Sequence, residues 1–319
     1  GLMYMPAAAG LDGGEVILPS FTFMATAHSM KLGGLEPVFA DIDPGTLTLD
    51  PRSVEAAITP RTVAVCGVHT YGTPCDIETL DRLCQRHRLV LFFDSAHGLG
   101  STHAGKPLGG FGLAEGFSTS ATKVLTTLGE GGFVCSDDDK FAERIRLARN
   151  WGHDGDYNAR FASIVSKMPE ITAAAGLLEL QRLDGYLSNR RRYVARLRHL
   201  LAGVEGVRFP RLREGDESGH KDLAILVDAS RFGLDRNLFC RALAAEGVET
   251  RQYFNPPVHR LSAYVGTSGA SRVSLQHTER VAADVVCLPL HNEMAETTLD
   301  RLAEAIIRLQ QRAPAIRAA

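Results

Sequence analysis

Short apolar runs alternate with helix-periodic stretches through the first half of the chain. Glu15–Leu18, Pro37–Ile42, Thr62–Val68 and Leu89–Asp94 are brief, apolar and bounded by Gly, Pro or Asp, which predicts strands. Between them, Thr22–Leu32, Asp50–Ile58 and Ile77–His87 carry apolar residues three and four apart, with Thr or Asp near their starts, which predicts helices. Strand alternating with helix builds a mostly parallel sheet covered on both faces by right-handed crossovers. A strand over Glu115–Thr119, a return through Gly131-Gly132 to Val134-Cys135, and a helix over Asp138–Asn150 complete this block. From Glu170 to Leu201 the helical pattern is continuous, long enough for a connecting helix pair. After Gly203 come strand patterns at Val207–Phe209, Leu223–Val227 and Val248–Phe254, and helical ones at Asp235–Glu246 and Thr297–Gln311. The expected fold class is therefore α/β, a mostly parallel sheet sandwiched by helices over residues 1–200, with a smaller α+β domain over 201–319.

Composition refines this picture only a little. At 45% hydrophobic and 23% charged residues, the 319-residue chain is that of an ordinary globular protein. A formal net charge of −2 argues against nucleic acid or an anionic membrane as partner. The cluster Arg190, Arg191, Arg192 sits among Tyr193, Leu197 and Leu200 at helical spacing, which predicts a solvated helix face. The six cysteines are scattered without CxxC or zinc-ligand spacing, so no metal is expected, and Cys66, Cys135 and Cys287 lie in apolar runs suited to buried thiols. With no signal peptide and no apolar run long enough to span a bilayer, a cytoplasmic location is expected. The chain opens on Gly1 and reaches a strand-like run within twenty residues, which suggests further residues upstream.

Reactive side chains collect where a parallel sheet binds ligands, at the carboxyl ends of its strands. Asp94 closes the run Leu89–Asp94, Ser118 lies near the end of the next strand, and Lys123 follows in the loop. A lysine, a carboxylate and a hydroxyl together suit pyridoxal phosphate (PLP): a Schiff-base amine, a partner for the pyridine nitrogen, and a phosphate ligand. Singly, Asp94 reads equally as a turn-capping carboxylate and Lys123 as a solvated loop lysine.

Their context resembles the DegT/DnrJ/EryC1/StrS family of sugar aminotransferases. The matching runs are Phe93-Asp94-Ser95-Ala96-His97-Gly98, Phe117-Ser118-Thr119-Ser120-Ala121-Thr122-Lys123 and Gly129-Glu130-Gly131-Gly132. Pro19–Ala27, His69–Gly72, Lys167-Met168, Arg251–Phe254 and Leu288–Leu290 extend the likeness over nearly the whole chain. The resemblance implies a PLP-transferase large domain of fold type I. It implies Lys123 as the Schiff-base lysine, Asp94 at the pyridine nitrogen, His97 near the phenolic oxygen and Ser118 at the phosphate. Phe23 would stack on one ring face and Ala96 would pack small against the other, although Phe23 reads equally well as a core residue at a helix start. Tyr253, Phe254 and His259, in the Pro-stiffened run Arg251–His259, are candidate substrate neighbours, with a structural loop as the plain alternative. The implied substrates are an amino-acid donor, glutamate in most of the family, and a nucleotide-linked keto-sugar. A keto-cyclitol is the alternative acceptor, and a homodimer with its site at the interface is the implied assembly.

Three departures bear on that reading. The family's phosphate-binding Gly-Thr turn would precede the region Leu2–Leu11. The family's Gly-x-Asn is Ser163-Ile164-Val165 here, and valine offers no hydrogen bond to a neighbouring subunit's phosphate. The Lys123–Gly129 loop is one residue longer than usual. These leave a second expectation beside an active enzyme, a family member with impaired turnover that acts as a partner protein or is a decaying paralogue.

Overall fold

The computed structural model describes residues 1–318. Its main sheet contains β1 (Glu15–Pro19), β2 (Glu36–Ala40), β3 (Thr62–Val68), β4 (Val90–Asp94), β5 (Ala114–Ser118) and β6 (Gly132–Cys135), in spatial order β2-β1-β3-β4-β5-β6. The first five run parallel, and β6 returns antiparallel beside β5. Both faces of β1 to β4 are covered, which is why these strands are near-continuous apolar runs, whereas the edge strand β6 is partly exposed. Val16 and Leu18 enter one core with Met30, Phe39 and Phe92, while Ile17 between them enters the other with Val38, Leu80 and Phe93.

The helices start where aspartates can accept their free amides. Asp50 accepts from Arg52 N ahead of α2 (Pro51–Ala57), and Asp76 from Thr79 N ahead of α3 (Ile77–His87). Asp138 does the same for Phe141 N at 2.8 Å, opening α4 (Asp139–Ala148). Helix α1 is shorter than its pattern, spanning Met24–Leu32 with Phe23 as an extended, uncapped first residue. The long periodic stretch divides into α5 (Glu170–Leu180) and α6 (Leu183–Leu200).

A second, antiparallel sheet contains β7 (Val207–Arg208), β8 (Leu223–Val227) and β9 (Val285–Leu288), with β8 in the middle. Two sequence expectations are corrected here. Val248–Phe254 is not a strand: it touches the sheet at a single bridge, Arg251 to Cys287, and soon meets Pro256 and Pro257, which have no N–H to continue a ladder. Its expected place falls to Val285–Leu288, which follows an unanticipated helix, α8 (Gln276–Asp284), with α7 (Arg236–Ala245) earlier in the chain. The core of this unit gathers Leu223, Ile225, Val286, Phe239, Leu302 and Ile306, the last two from α9 (Glu296–Gln311). It also takes Val194 and Leu197 from α6, whereas Tyr186 and Leu187 of the same helix pack on Val124. We therefore propose the division near residue 200 as one bridged by a shared helix.

The arginine cluster meets expectation only in part: Arg192 is exposed and Arg191 half-buried. Arg190 is buried, donating to the carbonyls of His220 and Lys221 and to Asn292, because the segments that carry those residues close over the middle of α6. All six cysteines are free, with Cys66 and Cys287 buried and Cys135 partly so. No helix among the described residues is long and apolar enough to cross a membrane.

Candidate active site

The chain reverses direction across the sheet at β1, whose neighbours β2 and β3 lie on opposite sides. The crevice outside the strand ends opens there, as expected for an open α/β sheet. It is a cavity of about 1290 Å³ that brings together Phe23, Asp94, Ala96, His97, Ser118 and Lys123, with Tyr253 and Phe254 from the C-terminal unit.

Asp94 is buried at the last position of β4. Its Oδ2 accepts the Thr26 hydroxyl at 2.6 Å and its Oδ1 accepts Ala96 N at 3.0 Å; Thr26 in turn shares a 2.9 Å hydrogen bond with Thr22. The carboxylate is thus held by one turn of α1 from a helix end 68 residues away in sequence.

His97 follows in the loop after β4. Its Nδ1 accepts Tyr71 N at 3.2 Å, which leaves the other ring nitrogen as the one that carries a proton and donates. Burial, then Lys123 and Lys221, hold its imidazole well below the ordinary range, so the ring is neutral. It lies in a stack with Tyr71 and Phe254, at 6.4 and 6.1 Å between centres.

Behind this loop lies a buried polar frame. Glu115 accepts Gly109 N at 2.6 Å, Phe111 N at 3.0 Å and Ser95 Oγ at 2.5 Å. His69, stacked on Phe93, accepts Cys75 N at Nδ1 and presents its other nitrogen to Glu115 at 3.5 Å. The frame pins Ser95 between the two residues that face the cavity.

Lys123 sits in the loop after β5. Burial and the neighbouring Lys221 ammonium hold its amine below the usual lysine range, against the pull of Asp94, Asp222 and Glu130. Ser118 Oγ is within 3.3 Å of Ser120 Oγ, making a pair of hydroxyls at the cavity wall. The Lys123–Gly129 loop closes on its flanks: Thr127 N donates to Thr119 O and Thr119 N to Gly131 O, both at 2.9 Å. Leu128 within it is exposed, at φ 60.

Two residues fall differently from the rest. His259 is not brought to the cavity: it is buried between Ser20, at 2.6 Å from Nδ1, and Glu279, at 2.7 Å from Nε2, and fastens the loop after β1 to α8. Val165 stands half-exposed beside the wall that Ser166, Lys167 and Met168 form. Thr26 and Tyr71 lie in runs that resemble the family but were given no role by the sequence, and Lys221 was passed over altogether.

These donors fit PLP in kind. A buried carboxylate suits a protonated ring nitrogen, a neutral imidazole N–H suits a phenolic oxygen, paired hydroxyls suit a phosphate, and a lysine of lowered basicity suits an aldehyde carbon. Fold and donor set together define the class of fold type I, PLP-dependent aminotransferases. Within that class the chain belongs to the DegT/DnrJ/EryC1/StrS aminotransferase family, whose model matches residues 1–307. It is 34% identical over 293 residues to a dTDP-4-amino-4,6-dideoxy-D-glucose transaminase of Shigella dysenteriae, covering 92% of this chain and 79% of that one. It is 34% identical over 297 residues to a GDP-perosamine synthase of Caulobacter vibrioides, covering 92% and 78%. The crystal structure of DesI in the presence of its TDP-sugar product superposes with a TM-score of 0.93 at 40% identity, over all of this chain and 80% of that one.

Proposed function

We propose that this protein is an active PLP-dependent aminotransferase that moves an amino group from an amino acid, glutamate by family habit, to a keto group of a nucleotide-linked deoxysugar. The observation that carries the reading is Lys123 in one cavity with Asp94, His97 and Ser118. PLP, when bound, supplies an electrophilic carbon and a ring that accepts electrons. The chain supplies the rest. Asp94, fixed by Thr26 and Ala96 N, would keep the ring nitrogen protonated. His97 would donate to the phenolic oxygen, Ser118 and Ser120 would hold phosphate oxygens, Phe23 would cover one ring face and Ala96 would leave room on the other. Lys123 Nζ would hold the cofactor's reactive carbon and serve as the base and acid for the proton moved between donor and acceptor. Its lowered basicity suits that task, because a base must be unprotonated to act.

We further propose a homodimer. Helix α5 buries none of its residues, and Ile171, Leu177, Leu178 and Leu180 stand more than half exposed along it. Pro169, just before it, lines the cavity, so a second copy seated on α5 would lie at the site's edge.

The test is a visible spectrum of the purified protein with PLP, before and after glutamate. The expected result is a lysine-dependent absorbance band that glutamate bleaches and a keto-sugar nucleotide restores. No band, or a band unchanged by Lys123→Ala, overturns the reading; a band that glutamate leaves untouched supports instead a family member without turnover.

A further inference from the structure

The cavity contains a second amine to which the reaction above gives no task. Lys221 reaches it from the C-terminal unit, two residues before β8, with a side chain only 8% exposed. Its Nζ donates to Asp222 Oδ1 at 2.9 Å and lies 5.4 Å from the centre of the Tyr253 ring. An ammonium has three N–H donors, and among the described residues Asp222 is the one hydrogen-bond acceptor this group has. The remaining donors belong to a desolvated cation at the wall of a cavity.

The backbone under Lys221 is held with unusual care. Its N–H donates to Tyr71 O at 3.1 Å, and Tyr71 N is the donor to His97. Its carbonyl accepts Arg190 Nη1 at 3.1 Å, and that nitrogen also donates to His220 O at 2.8 Å. Arg190 Nε donates to Asn292 Oδ1 at 2.6 Å, and Asn292 Nδ2 donates to Val124 O at 3.0 Å, the residue next to Lys123. A buried arginine and an asparagine therefore tie together the two segments that carry the two lysines. Lys221, Lys123 and His97 line the same cavity.

We propose that Lys221 binds the carboxylate of the amino-acid donor, and that Arg190 and Asn292 are positioning residues that fix its placement relative to Lys123. The proposal rests on the aminotransferase reading. A donor amino acid carries its carboxylate on the same carbon whose proton Lys123 must take, so a cation is required close to Lys123. Lys221 is buried beside it, already stripped of most of its water, and has N–H groups free. Asp222 compensates its charge while no donor is present.

The experiment compares wild type, Lys221→Met and Lys221→Arg, each with PLP. The absorbance band is recorded first, then its bleaching as glutamate is titrated, then the ability of glutarate, a dicarboxylate with no amine to react, to compete with glutamate. K221M is expected to form the band, to need about ten- to hundredfold more glutamate for half-maximal bleaching, and to lose competition by glutarate. Its limiting bleaching rate and its KM for the sugar nucleotide should change far less, and K221R should recover part of the donor affinity. Unchanged glutamate dependence in K221M, or a loss confined to the sugar KM, overturns the proposal. So does a K221M protein that forms no band while K221R does, which would assign the lysine to the cofactor. A wild type without the band overturns the aminotransferase reading itself, and this proposal with it.

Discussion

Replacing Thr26 by valine exchanges one hydroxyl for a methyl group at nearly constant shape. The hydroxyl is fully buried, donates to Asp94 Oδ2 at 2.6 Å and meets Thr22 Oγ1 at 2.9 Å. No water can take its place, so Asp94 would keep only the bond from Ala96 N and Thr22 would lose its partner. A hydrogen bond to a charged group is worth about 1.5–3 kcal/mol. Thr26→Val should therefore lower the unfolding free energy of the cofactor-free protein by about 2 kcal/mol in urea. Thr26→Ser keeps the hydroxyl and loses one methyl group, about 1 kcal/mol. The same bond sets the plane of the carboxylate meant to face the ring nitrogen. T26V should therefore weaken PLP binding, read from the band, by about tenfold relative to T26S. If the two variants unfold alike and bind PLP alike, the hydroxyl does not hold Asp94 and the reasoning is wrong.

Two further outcomes follow from the structure. Hydrogen bonds from Arg272, with Thr59 and Arg61, outweigh burial and hold the Glu15 carboxyl down at about 2, against an ordinary value of 4.5. A folded-state pKa below the unfolded one stabilises above pH 4.5 and is lost as pH falls through about 2, a contribution of roughly 3 kcal/mol. Glu15→Gln should be less stable than wild type at neutral pH and show a flatter decline across that acid window in urea titrations; parallel curves would remove Glu15 from the account. Leu177→Glu with Leu178→Glu on α5 should leave the monomer folded and shift its sedimentation from dimer to monomer, and a doubly substituted chain that still sediments as a dimer would place the interface elsewhere.

Much of the fold and part of the site could be read from the sequence because both rest on local pattern. A strand covered on both faces must be an apolar run, so β1 to β4 announce themselves, and the last residue of such a run faces the crevice. Asp94 was found that way, Ser118 and Lys123 by following the chain to the next strand end and its loop, and the family's motifs supplied His97, Phe23 and Ala96. The shortfall lies where a side chain's role depends on a partner distant in sequence. Thr26 acts on Asp94 68 positions on, Arg190 on Asn292 102 positions on, and His259 on Ser20 239 positions back. Arg190 looked solvated because helical spacing cannot tell which elements will close over a helix face, and His259 looked like a substrate neighbour because its loop motif could not reveal Ser20 and Glu279 waiting on either side. Val285–Leu288 took the strand place expected of Val248–Phe254 because short apolar runs suit either, and sheet hydrogen bonding decides between them only when the chain is closed. The sequence by itself therefore determined which elements form and which strand ends carry chemistry, since periodicity and side-chain type act within a few residues. Only the tertiary structure decided which buried charges meet, and so brought Lys221 beside Lys123, because desolvation and hydrogen bonding depend on distance in space.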